Sequence, residues 1–85
     1  MPKSADFIAA IHTSFRGAQI KKHKYLDINS GDLHRLLGYY PGPDHRMPLC
    51  CGAMRKEMKQ GDQILNQPPK GNGASLTIRY QLPRP

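Results

Sequence analysis

The sequence predicts an α+β fold of three short helices and a small antiparallel sheet, and three observations carry that expectation. Apolar residues recur at helical spacing in three separate stretches. After Gly61 the pattern changes to strict alternation, so that Leu76, Ile78, Tyr80 and Leu82 share one face of a strand while Ser75, Thr77, Arg79 and Gln81 share the other. Glycine and proline cluster between these stretches, where the chain must turn.

Helix one is expected over Ser4 to Arg16, with Ser4 as its N-cap and Asp6 at the positive end of the helix dipole. Phe7, Ile8, Ile11 and Phe15 repeat on one face, and Gly17 is expected to stop the run. Residues 17–24, GAQIKKHK, then form a basic loop whose Lys21, Lys22 and Lys24 keep it solvated. Tyr25 to Ile28 reads as a brief edge strand, since it is short and places Leu26 and Ile28 on one side with Asp27 on the other.

Ser30, Gly31 and Asp32 open helix two, Leu33, Leu36 and Leu37 supply its buried stripe, and Gly38 ends it. The segment Tyr39 to Arg46, YYPGPDHR, turns the chain because its prolines and glycines do not continue a helix. Helix three is expected from Met47 to about Lys59, with Pro48 in its first turn and Met47, Cys50, Cys51, Met54 and Met58 on the buried face. Lys56 and Lys59 then lie on or near the opposite face, with Arg55 beside the boundary. Gln63 to Gln67 and Ser75 to Leu82 are the strands of a hairpin. Its long PPKGNGA connection should project as a mobile loop, with Asn72-Gly73 as the tight part, and Pro83 to Pro85 should fray.

Length and charge bound what such a fold can do. Eighty-five residues, 1–85, make a single domain with a small core. Thirteen lysines and arginines against six acids leave a net charge of +7, which favours a polyanionic partner. No apolar run approaches the ~20 residues that span a bilayer, and the N-terminal MPKSADFIAA lacks the apolar stretch of a secretory signal, so a cytoplasmic location is expected. Adjacent Cys50 and Cys51 project about 100° apart on a helix and read as two buried thiols of a reducing compartment.

Catalytic and cofactor chemistry find little support in the residues. Pro69 to Ser75 is glycine-rich but lacks the GxxxxGK[ST] pattern of a phosphate-binding loop and joins two strands. Acidic residues are scattered singly, and no Ser or Cys has an identifiable base beside it, so no enzyme activity and no cofactor is expected. His12, His23, His34 and His45 recur at an interval of eleven, but the flanking residues do not repeat and no metal-ligand spacing is present. His34 and His45, which precede Cys50 and Cys51, supply with them residue types that could serve a metal or redox role, and no metal site is assigned to them.

The order helix, strand, helix, helix, strand, strand resembles the winged helix-turn-helix domains of small bacterial proteins, and Asp27-Ile28-Asn29-Ser30-Gly31-Asp32-Leu33 is similar to the start of their second helix. The segments SGDLHRLLGYYPGPDHRMPLCCGAMRKEM and PPKGNGASLTIRYQLPRP also resemble a group of small uncharacterised bacterial proteins, a likeness that implies no activity. The winged-helix likeness implies binding of double-stranded DNA, with helix three in the major groove and the hairpin loop on the flanking backbone, and regulation of transcription as the natural use. On that reading Arg46 and Arg55 reach base edges or phosphates, Lys56 and Lys59 serve the groove, and Lys70 anchors a phosphate. The connection Tyr39 to Arg46 is longer than the three or four residues of a compact helix-turn-helix, so it sets how helix three is presented. The alternative is a protein-docking or homodimerisation module that uses the Tyr39-Tyr40 pair as an aromatic contact surface. RNA is less favoured, because the strands display no aromatic pair for base stacking.

Overall fold

The computed structural model describes residues 3–38 and 46–84. Its elements are α1 (Ser4–Ile20), β1 (Tyr25–Asn29), α2 (Ser30–Leu37), α3 (Met47–Lys56), β2 (Gln63–Asn66) and β3 (Thr77–Gln81). The strands form one antiparallel sheet in the order β1-β3-β2. Ile28 and Ile64 both pair with Ile78, and a bulge between Ile64 and Asn66 takes Leu65 out of the ladder.

One core joins the three helices to the inner face of the sheet. Phe7, Ile11 and Phe15 from α1, Cys50, Cys51 and Met54 from α3, and Leu76, Ile78 and Tyr80 from the β3 segment are all buried in it. The alternation expected for β3 holds, with the outer side chains Ser75 and Gln81 exposed. Tyr80 brings a hydroxyl into this core and satisfies it by donating to the Met54 carbonyl at 2.7 Å.

The start of α2 is where three parts of the chain meet. The first N–H groups of a helix have no partner within it, and here the segment before β3 supplies them. Ser30 N–H donates to Leu76 O at 2.8 Å and Gly31 N–H to Ala74 O at 3.1 Å. Asn29, not Ser30, is the N-cap: its Oδ1 accepts from Asp32 N–H at 3.0 Å. Ser30 is buried instead, with its hydroxyl donating to Gly73 O. A Cβ on Gly31 would stand 3.0 Å from Ala74 O and 3.1 Å from Ala74 Cβ, so a larger residue would press the loop backbone outwards by a few tenths of an ångström.

Several expected boundaries and faces differ. At α1 the N-cap position is Lys3, whose N–H donates to Asp6 Oδ2 at 2.7 Å. Gly17, which costs about 1 kcal/mol of propensity, does not stop the helix; it runs on through buried Ala18 to Ile20 and closes on a C-terminal motif. That motif is a Schellman pair, Lys22 N–H to Gln19 O at 2.9 Å and His23 N–H to Ala18 O at 3.0 Å, with Lys22 at φ 62° where glycine usually sits. On α2, Leu36 is 72% exposed, and the buried positions are Ser30, Gly31, Leu33 and His34. Helix α3 ends at Lys56, and Asp62 caps the turn that follows by accepting from Lys59 N–H at 2.8 Å.

The chain end is tied rather than frayed at Arg84. Its Nη1 donates to both Asp62 oxygens at 3.0 and 2.9 Å, its Nη2 to Glu57 O at 2.6 Å, and its N–H to Gln19 Oε1 at 2.6 Å. The guanidinium also lies 4.8 Å from the Phe15 ring centroid. Pro85 and the Tyr39–His45 segment lie outside the described residues. Burial raises the Asp62 pKa, but the N–H groups of Gln81 and Lys59 and the Arg84 guanidinium outweigh it and hold the carboxyl below its ordinary value.

The Asp62 contribution has a definite sign. A carboxyl with a depressed folded-state pKa stabilises the fold fully above its unfolded value, near pH 4, and loses that contribution as the pH falls through the folded value. Urea denaturation of wild type and Asp62→Asn from pH 7 downwards should give a stability gap that is constant above about pH 5 and narrows below about pH 4. A gap independent of pH would contradict the assignment.

Candidate nucleic-acid interface

Helix α3 buries Met47, Cys50, Cys51, Ala53 and Met54, which leaves Pro48, Leu49, Gly52 and Lys56 along its solvent face with Arg55 at the boundary. Ten residues at about 1.5 Å each place Arg46, at the N-cap, roughly 15 Å from Lys56 at the other end. The two side chains therefore stand at opposite ends of the helix.

The β2–β3 connection does not project freely. Arg55 donates through Nη1 to Asn72 Oδ1 at 2.9 Å and through Nη2 to Gly71 O. Cys51 Sγ accepts from Gly73 N–H at 3.4 Å and also reaches Gly73 O at 3.4 Å. Pro68 is buried, and the tight turn is Pro68–Gly71, closed by Gly71 N–H to Pro68 O at 2.9 Å with Gly71 at φ 85°. The expectation of a mobile loop turning at Asn72-Gly73 is thus corrected. The physical reason is that Arg55 and Cys51 on α3, with Ser30 and Gly31 on α2, bind its polar backbone groups.

This arrangement sorts the five site residues. Arg55 and the Lys70 loop are brought together, with Lys70 exposed beside Gly71, which Arg55 holds. Lys56 is exposed next to Arg55 on α3, and Arg46 is exposed with its N–H donating to His34 Nε2 at 2.7 Å. Arg55 is committed to the loop, so it acts as a clasp and not as a free reader of bases. Lys59 stands apart, past the end of α3, in a cleft with His12, Arg16, Gln19 and Arg84. The sequence reading missed Arg16 and Gln19. Their signal was a polar i, i+4, i+7 stripe of His12, Arg16 and Gln19, hidden by ending the helix at Gly17.

Charge pairing also divides by residue type. Each described acid is engaged within the fold: Asp6 with Lys3 N–H, Asp27 with Arg79, Asp32 with Arg35, Glu57 with His12, and Asp62 with Arg84. The Arg79 partner holds Asp27 below the ordinary carboxylate pKa, mainly through its hydrogen bond. No lysine enters an ion pair among the described residues. The excess positive charge is therefore displayed mainly by lysines on the surface.

Burial pushes the Cys50 thiol up to about 12, with Cys51 beside it adding to the shift, so it stays protonated at neutral pH. Among the described residues no group of three His, Cys, Asp or Glu is placed to hold a metal. The buried His34 instead serves the fold, with Nε2 accepting from Arg46 N–H and Nδ1 lying 3.1 Å from Gly38 O, so it joins the end of α2 to the start of α3. His45 and the Tyr39-Tyr40 pair lie outside the described residues. No described helix is long and apolar enough to cross a membrane.

Comparison with family models, with curated proteins and with solved structures finds no match to this chain. The functional reading accordingly rests on the geometry.

The clasp can be tested directly. Arg55→Lys keeps the charge but loses the planar fork that bonds Gly71 and Asn72 together, so the Gly73 amide should exchange with deuterium about tenfold faster for each ~1.4 kcal/mol of local stability lost. Unchanged exchange at Gly73 would mean that Arg55 does not hold the loop.

Proposed function

We propose that the chain is a small winged-helix protein that binds double-stranded DNA, with α3 and the β2–β3 loop forming one contact surface and regulation of transcription as its setting. The observation that carries the reading is the clasp of Arg55 on the loop, which fixes Lys70 relative to Lys56 on the exposed face of α3. Element order and the β1-β3-β2 sheet support the same fold assignment. The location that goes with this role is cytoplasmic.

The chemistry of the surface favours affinity over sequence choice. Lysines contact phosphates as point charges, whereas bidentate base recognition needs a free arginine fork. Arg55 is taken by the loop, and Pro48, Leu49 and Gly52 on the exposed face of α3 offer no side-chain hydrogen bonds to base edges. Arg46 is the arginine of this surface left for a base or a phosphate. Binding is thus dominated by phosphate contacts, with modest discrimination between sequences.

A second reading is a docking module for another protein. It is favoured by the 72% exposure of Leu36, which borders a groove with Leu26, Ile28 and Leu33 between α1, β1 and α2.

Titrating random-sequence duplex DNA at several salt concentrations separates the two. Three or four phosphate contacts give a log–log slope of affinity against salt of about −2.7 to −3.6. Lys56→Ala and Lys70→Ala should each flatten it by about 0.9 and weaken binding uniformly across sequences. No binding at low salt, or a slope that both substitutions leave intact, would overturn the DNA reading.

A further inference from the structure

We propose that the cleft between the second half of α1 and the turn after α3 is a binding site for a phosphate group, separate from the α3 surface. The cleft has a volume of about 250 Å³, room for a phosphate and several waters at about 30 Å³ each. Its polar lining is supplied by His12, Arg16, Gln19, Glu57, Lys59 and Arg84.

The donors and acceptors of the cleft are unequally engaged. On the acceptor side, the Asp62 carboxylate behind Arg84 has no exposed side-chain surface and is taken by Arg84 and by the N–H groups of Gln81 and Lys59. Glu57 Oε1 is engaged by His12 Nε2. Gln19 Oε1 accepts from Arg84 N–H at 2.6 Å. That bond fixes the side-chain amide and leaves its NH2 group to donate.

Donors are left over. Among the described residues Arg16 makes a single side-chain hydrogen bond, from Nη2 to Thr13 Oγ1 at 3.2 Å. The Lys59 ammonium enters no ion pair among the described residues. Among the described residues Arg84 spends Nη1 and Nη2 on protein acceptors, with no bond from Nε. Among the described residues the cleft leaves donors of Arg16, Gln19, Lys59 and Arg84 against one carboxylate oxygen without a hydrogen bond, Glu57 Oε2, an excess that suits a phosphate group, whose oxygens are mostly acceptors. Formal charge agrees: Arg16, Lys59 and Arg84 outweigh Asp62 and Glu57 by one, before any proton on His12 is counted.

Two of the donors are already held in place. Arg84 is fixed by its bonds to Asp62 and the Glu57 carbonyl and by the Phe15 ring, and Gln19 by its bond to Arg84. A phosphate therefore meets two preset groups and has to order two exposed side chains, Arg16 and Lys59. Inorganic phosphate and the terminal phosphate of a nucleic acid present the same chemistry to these groups.

The test is an NMR titration of the full chain with inorganic phosphate at constant ionic strength, with chloride as the control. Phosphate should shift the Gln19 side-chain amide and the Arg16 and Arg84 Nε–H signals. The double variant Arg16→Gln with Lys59→Gln, both exposed positions outside the core, should weaken binding about tenfold or more. Signals that move no further in phosphate than in chloride, or a double variant that binds phosphate like the wild type, would overturn the proposal.

A second arm compares duplexes with 5′-phosphate and 5′-hydroxyl ends. Preference for the phosphorylated end, lost in the double variant, supports the site with a nucleic-acid terminus as its ligand. Phosphate binding with no end preference supports it with a small phosphate as the ligand. The phosphate titration contains no DNA, so its failure leaves the α3 reading standing, and failure of DNA binding leaves the cleft standing.

Discussion

The meeting of α2, α3 and the β2–β3 loop rests on the close approach of the loop backbone to Gly31, where a Cβ would stand 3.0 Å from Ala74 O. Because the loop backbone comes so close, its carbonyls accept from the first N–H groups of α2, which would otherwise lack partners. The same stretch of loop meets Cys51 and the Ser30 hydroxyl, and Arg55 clasps it from α3. A ten-residue connection rich in glycine and proline thereby becomes part of the fold. Its lysine is carried on a surface whose position relative to α3 is set by hydrogen bonds.

A second organising feature is the division of labour between arginine and lysine. Arg35, Arg79 and Arg84 hold acids within the fold, and Arg55 holds backbone and amide oxygens of the loop. The planar guanidinium suits these bidentate and stacked roles, as with Arg79, which pairs with Asp27 and lies 4.0 Å from the Tyr25 ring centroid. The lysines stay in solvent and carry the excess charge. The proposed interface and the proposed phosphate cleft draw on different members of this set: Lys56 and Lys70 for the first, Lys59 for the second. Part of the net charge of +7 is thus divided between two separate regions, while Lys21, Lys22 and Lys24 lie in a third stretch between α1 and β1.

Much of the fold was legible in the sequence because the apolar pattern was regular. Leu76, Ile78 and Tyr80 alternate as a half-buried strand must, and Met47, Cys50, Cys51 and Met54 recur as one helical face. The misreadings arose where a polar residue or a glycine served tertiary structure. His34 took the buried place expected of Leu36 because its two ring nitrogens meet backbone groups at both ends of the α2–α3 connection. Gly17 was read as a stop because local propensity says nothing of the Schellman motif five residues later. Arg84 near the chain end gave no local sign that Asp62 and Gln19, 22 and 65 positions away, would bind it. The site was legible in its composition and not in its grouping. Charge pointed to a polyanion, but only the folded chain distinguishes the clasping Arg55 from the displayed Lys56 and sets Lys59 apart from both.

The central claim is that α3 and the loop act together as one nucleic-acid surface. The most direct measurement is backbone-amide NMR of the chain titrated with duplex DNA at low salt. The account predicts joint perturbation of Arg46, Lys56 and the 68–73 loop, with a common binding curve. Perturbation confined to the groove of Leu26, Leu33 and Leu36, or none at all, would contradict it.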